Sequence, residues 1–228
     1  DSAPEKGMYD AVNKGFEALF KQQQTESWDD ICAYLNCDEQ YLPGTLGFVA
    51  GYFEDHPAVD LLFGDYLIVN SNGELLSFRK GLPPRLVYIR AAHLYNLSCA
   101  MFFRRRVWEK IGFDAQLKDV GDEVFVTRAL ESGFAAKHVR RYLAVFTFSP
   151  DMRSRSENAR RERIALKTNA PVWVKACRPA INAARRLEKL ARGCYCQRFP
   201  LRYDIYSGDR LDRRTEFECP SASPAWPE

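Results

Sequence analysis

The chain has 228 residues, 46% hydrophobic and 28% charged, enough for one sizeable core with an appendage. No apolar run approaches the ~18–20 residues of a membrane-crossing helix, which sets aside a helical channel or carrier. The net charge of +3 is uneven: residues 1–150 hold 16 Lys+Arg and 20 Asp+Glu, residues 151–228 hold 17 and 10, so an acidic body is expected to precede a basic tail.

Residues 8–20 place Met8, Val12, Phe16 and Leu19-Phe20 at helical spacing. A polar loop follows to about residue 30. Ile31–Leu35 reads as a short buried strand, ending in the acidic knot Asn36-Cys37-Asp38-Glu39. After the Pro43-Gly44 turn, Leu46, Val49, Ala50 and Phe53 mark a helix that stops near His56-Pro57. Val59–Phe63, Tyr66–Val69 and Glu74–Phe78 read as strands, the last two joined through Asn70-Ser71-Asn72-Gly73. Pro83-Pro84 breaks the chain. Ala100–Arg104 is a further strand, Arg106–Ile111 a short helix closed by Gly112, Asp122–Ser132 a helix capped by Gly133, and Tyr142–Phe148 the last strand. Alternating strands and helices with one hairpin predict an α/β sheet of mixed direction. Ser154–Leu166 is a charged helix. Ala180–Arg192 sets Ile181, Ala184, Leu187 and Leu190-Ala191 against Arg185, Arg186, Lys189 and Arg192. The chain beyond Pro200 reads as irregular, and 220–228, rich in Pro and Ser, as disordered.

Seven cysteines stand at 32, 37, 99, 177, 194, 196 and 219. None forms a C-x-x-C pair, and the odd number reads as reduced thiols. His56, His93 and His138 are too scattered to form a ligand set. The arginines of the tail are not interleaved with aromatics as single-strand binding requires, so no nucleic acid is expected.

Three islands carry chemistry. Asp38, at the carboxyl end of a buried strand, is placed to hold a hard divalent cation against phosphate oxygens, and Asn36 offers a carbonyl oxygen beside it. Such a pair also caps turns. Asp122 opens a helix, as a general base or as an ordinary first-turn acid. Glu123 competes with it. Asp10 and Asn13 share a helix face and can hydrogen-bond one ligand. Asp65 either lines a pocket or ends a strand.

Together these islands resemble the family 2 glycosyltransferases. Gly7-Met8-Tyr9-Asp10-Ala11-Val12-Asn13-Lys14-Gly15 is similar to the family's Gly-Ile-Tyr-Asp-Ala-Met-Asn-Lys-Gly. Tyr34-Leu35-Asn36-Cys37-Asp38, then Leu42-Pro43-Gly44-Thr45-Leu46, is similar to its metal-binding strand end. The segment Phe102–Asp114, followed by Gly121-Asp122-Glu123 and Arg128, is similar to the approach to its catalytic base. The resemblance implies a GT-A-like fold and transfer of a sugar from a nucleotide diphosphate to a hydroxyl with inversion. Asp38 would bind Mg²⁺ or Mn²⁺, Asp122 would be the base, and Asp10, Asn13, Asn36 and Asp38 would hold the donor. Asp65 would meet a saccharide or lipid-linked acceptor. A cytoplasmic enzyme of cell-surface polysaccharide or glycolipid synthesis is expected.

The departures are specific. The family's opening strands and their Asp-Gly-x-Ser-x-Asp-like motif do not precede Asp1, so the chain reads as truncated. Ser98-Cys99 stand where many relatives have His-Gln. The expected organisation is a catalytic core over 1–150, a basic helical extension over 151–219 and a tail over 220–228. The basic face of Ala180–Arg192 is expected to touch anionic membrane, or else its apolar face docks on the body. A non-catalytic sugar- or partner-binding module on the same scaffold is the alternative.

Overall fold

The computed structural model describes residues 7–22, 30–148, 156–207 and 210–227. Most of the loop expected after the first helix, the start at Ser154 of the charged helix, and the boundary at 150/151 lie outside the described residues. In chain order the elements are α1 (Met8–Gln22), β1 (Ile31–Cys32), β2 (Glu39–Tyr41), α2 (Thr45–Asp55), β3 (Leu61–Val69), β4 (Leu75–Arg79), α3 (Leu86–Ala91), a 3₁₀ turn (Ser98–Ala100), β5 (Met101–Arg104), α4 (Arg105–Ile111), α5 (Gly121–Glu131), β6 (Ala136–Thr147), α6 (Glu157–Thr168), α7 (Val172–Ala176), α8 (Arg178–Ala191), β7 (Leu201–Ser207) and β8 (Arg210–Cys219).

The main sheet runs β1-β5-β3-β6-β2, with β4 also on β3. β3 and β6 are parallel, and the other pairs are antiparallel. The sheet is mixed, as the alternation of elements predicts. β3 is buried throughout because both sheet faces are covered. Its side chains alternate: Leu61 and Phe63 join a core with Tyr9, Phe16, Phe103, Phe113 and Phe125, while Leu62, Tyr66 and Ile68 pack with Val49, Phe53 and Phe102. Gly64 sits where the β3–β6 register shifts, and a Cβ there would meet the Leu143 side chain at 2.4 Å.

Four expectations change. The strand expected over Ile31–Leu35 keeps only Ile31 and Cys32 on β5; the chain then leaves the sheet and returns as β2 on β6. The two strands expected at 59–69 are one strand. The residues after Pro200 form the β7–β8 hairpin, whose Tyr203 and Ile205 pack with Leu67, Val69 and Phe78. The tail is ordered against β4: Ser77 Oγ donates to the Ala225 carbonyl at 2.6 Å and Arg79 to that of Pro224 at 2.5 Å, and Trp226 meets Phe146. Carbonyl groups with fixed donors, not composition, order this tail.

The helices from residue 156 onward pack onto the body. Ala159 and Val174 are fully buried, and Ala91 of α3 shares a cluster with Ala170 and Val174. Among the described residues no helix is long and apolar enough to cross a membrane.

Candidate active site

α5 begins where Gly121 accepts the ring of Tyr9. A Cβ on Gly121 would lie 2.5 Å from that ring, so only glycine lets the ring lie there. Tyr9 also stacks on Phe113, centroids 5.8 Å apart. This packing delivers the Tyr9 hydroxyl to Asp122, where it donates to Oδ1 at 3.4 Å. The Glu123 amide donates to the same oxygen at 2.8 Å. Burial lifts the Asp122 carboxyl above its ordinary range, and these two donors partly offset the rise. Glu123 turns away and accepts from the Leu94 amide at 3.0 Å; burial pushes it up to about 7.

The acidic knot lies within electrostatic reach. Burial raises Glu39 to about 7, opposed by the Asn36 amide that donates to it at 2.8 Å, with Asp38 and Asp122 pushing it further up. Tyr34 feels both Glu39 and Asp122. Burial raises its hydroxyl, and the charges of Asp122, Tyr9 and Glu39 act on it. That hydroxyl faces Ser98 but meets the full geometry of a hydrogen bond with no described group. Asp38 is held by its backbone, since its carbonyl accepts from Thr147 of β6 at 2.8 Å, and its side chain is half-buried. Electrostatic influence thus links Glu39, Tyr34, Tyr9 and Asp122, and Asp38 adjoins Glu39 in the chain.

Other expected site residues are engaged by partners within the chain. Asn13 is consumed by the turn after α4: its Nδ2 donates to the Phe113 carbonyl at 2.7 Å, and its Oδ1 accepts from Trp108 Nε1 and the Phe113 amide, both at 3.0 Å. It holds the end of α4 where the sequence suggested a donor contact. Asp10 pairs with Lys14 at 2.8 Å. Asp65 is 1% exposed. Its Oδ1 accepts from the Gly81 amide at 2.9 Å and faces His138 at 3.2 Å and Arg140 at 3.5 Å. It is an internal anchor between the sheet and the Gly81 loop. Tyr9, Tyr34 and Glu39 lie within the motifs quoted from the sequence, but no role at the site was assigned to them there.

Among the described residues, no three His, Cys, Asp or Glu side chains form a ready-made metal cage. Mg²⁺ is commonly held by one or two carboxylates with substrate phosphates completing its shell. The all-oxygen set of Asp38 and Glu39, with Asn36 adjacent, suits that mode. An apolar groove of about 330 Å³ beside β1 and α2, lined by Ile31, Ala33, Tyr41, Leu46, Val49, Ala50 and Phe102, contains none of these carboxylates and is not the site.

No protein-family model and no curated protein matches the sequence. Among solved structures, the chain aligns with the crystal structure of residues 1–349 of S. aureus TarS in complex with UDP-GlcNAc at TM-score 0.50 and 15% identity, over 97% of this chain and 82% of that one. TarS 1–349 alone aligns at TM-score 0.44 and 18% identity, over 92% and 79%. The likeness to glycosyltransferases raised by the motifs is met in the fold: this chain has a GT-A-like body, a mixed α/β sheet flanked by helices.

Proposed function

We propose that the chain is the catalytic body of a nucleotide-sugar glycosyltransferase. The observation that carries this reading is Asp122, oriented by Tyr9 at the start of α5 and acting electrostatically on Glu39 of the acidic knot. A GT-A-like fold supports it.

Asp122 takes the proton of an acceptor hydroxyl as that oxygen attacks the anomeric carbon. Tyr9 and the Glu123 amide bind one carboxylate oxygen and leave Oδ2 for the acceptor. Attack opposite the leaving diphosphate inverts the sugar. Asp38, with Glu39 and Asn36 beside it, would hold Mg²⁺ or Mn²⁺, which when bound supplies Lewis-acid neutralisation of the leaving diphosphate. Glu39 is raised by burial, so a cation beside it would draw it to the charged form. The acceptor class is a saccharide or lipid-linked sugar.

The test is transfer by the full-length natural protein carrying this chain, with UDP-GlcNAc as first donor because TarS 1–349 was crystallised with it. Transfer with Mn²⁺ that EDTA abolishes, and that Asp122→Asn removes without loss of donor binding, is the expected result. Donor binding without turnover across donors and acceptors would favour a sugar-binding module instead.

A further inference from the structure

Helix α8 is turned opposite to a helix that completes a core. Ala180, Ala183, Ala184, Leu187, Leu190 and Ala191 recur at three- and four-residue steps and share one side. All six are exposed, with Leu187 at 65% and Leu190 at 60%. The side facing the body is polar. Lys189 is 8% exposed. Glu188 accepts from Arg85 at 2.8 Å and from the Tyr88 hydroxyl at 2.9 Å, and pairs with Arg192 at 3.0 Å. Ile181 alone of the helix's large apolar side chains turns inward, toward Ala91, Ala170 and Val174. Rotating α8 to bury its leucines would strand Glu188 and break this set, so the orientation is fixed. The adjoining α7 exposes Val172 at 78% and Trp173 at 56%.

We propose that the outward apolar stripe of α8 is a docking surface for an anionic lipid membrane. The charge around the stripe selects this occupant. Residues 156–198 hold 11 Lys+Arg and three acids, Glu157, Glu162 and Glu188. Each acid is engaged within the chain: Glu157 with Arg161, Glu162 with the backbone at 118–120, Glu188 with Arg85. Exposed Arg186 borders the stripe between Ala183 and Leu190. At a bilayer interface the leucines enter the acyl boundary while the arginines remain among anionic headgroups. The expected docking of the apolar side on the body is corrected: that side faces outward, while Lys189 is buried and Arg186 and Arg192 stay exposed. The proposal stands independently of sugar transfer.

Flotation of the full chain with vesicles tests it, using phosphatidylcholine alone and phosphatidylcholine mixed with phosphatidylglycerol. The chain is expected to float with the mixed vesicles only. Leu187→Glu with Leu190→Glu should lower partitioning about tenfold or more, and Arg186→Gln about fivefold, a difference that high salt removes. All three positions are exposed, and circular dichroism verifies that the variants keep their fold. No partitioning into anionic vesicles, or partitioning indifferent to the leucine changes, overturns the proposal. A concentration-dependent dimer abolished by Leu187→Glu also overturns it, in favour of self-association.

Discussion

At the scale of single residues, Asp122 is shaped by two donors on one oxygen. Replacing it with Asn keeps the shape and removes the basicity, so turnover is expected to fall about 10²–10⁴-fold with donor affinity unchanged by calorimetry. Tyr9→Phe should act more subtly. The Tyr9 hydroxyl favours the charged form of Asp122, so its loss raises that carboxyl, and the acid limb of the pH–rate profile should move to higher pH. Glu39 and Glu123, raised from 4.5 to about 7 by burial, bind more protons folded than unfolded. Their contribution to stability is full below 4.5 and is lost as pH rises through about 7. Thermal melts should therefore fall between these limits, and Glu39→Gln should flatten that slope. Asp38 and Asp122 were singled out in the sequence by local signals; in the fold Asp38 lies just before β2, not at the carboxyl end of β1, and Asp122 in the first turn of α5. The role of Asn13 was not readable, because Phe113, which consumes it, is 100 residues away. Nor was that of Asp65, whose partners Gly81, His138 and Arg140 lie across the sheet.

Among the elements, α6 holds the loop that leads into the site. Glu162 accepts from the amides of Lys118, Asp119 and Val120 at 3.0, 3.0 and 3.1 Å, fixing the loop just before Asp122. Burial alone would raise this carboxyl, but the three amides and Asn158 hold it below its ordinary value. Its stabilising share is thus lost as pH falls, opposite in sign to that of Glu39. Glu162→Ala leaves three amides without this partner and should destabilise the chain by about 1–3 kcal/mol and reduce turnover. Arg161→Ala, on a side chain 75% exposed, should stay within about 0.5 kcal/mol in the same denaturation assay. Long elements with clear periodicity, such as α1 and α5, were readable from the sequence. β2 was not: Glu39, Gln40 and Tyr41 are a strand only because Phe146, Val145 and Ala144 pair with them. The β7–β8 hairpin did leave a trace, the alternation of Leu201, Tyr203 and Ile205, but charged residues between them masked it.

For the molecule as a whole, the acidic body and the basic remainder are readable as charge yet not as separate structures. The C-terminal residues close one end of the sheet, where Ser77 is wholly buried and depends on the Ala225 carbonyl. Ending the chain at Cys219 should cost about 1–3 kcal/mol, read as a drop of roughly 2–4 °C in Tm per kcal/mol for a chain of this size. The Glu162 anchor has a consequence in time as well as in energy. The carboxylate that fixes Val120 is translated 42 residues after it. At about 5–20 residues per second, the start of α5 emerges roughly 2–8 s before the group that sets it. A nascent chain that ends before residue 162 therefore carries every residue of the candidate site while the loop at 118–120 still lacks its anchor, and such a truncated chain should show faster amide exchange in that loop.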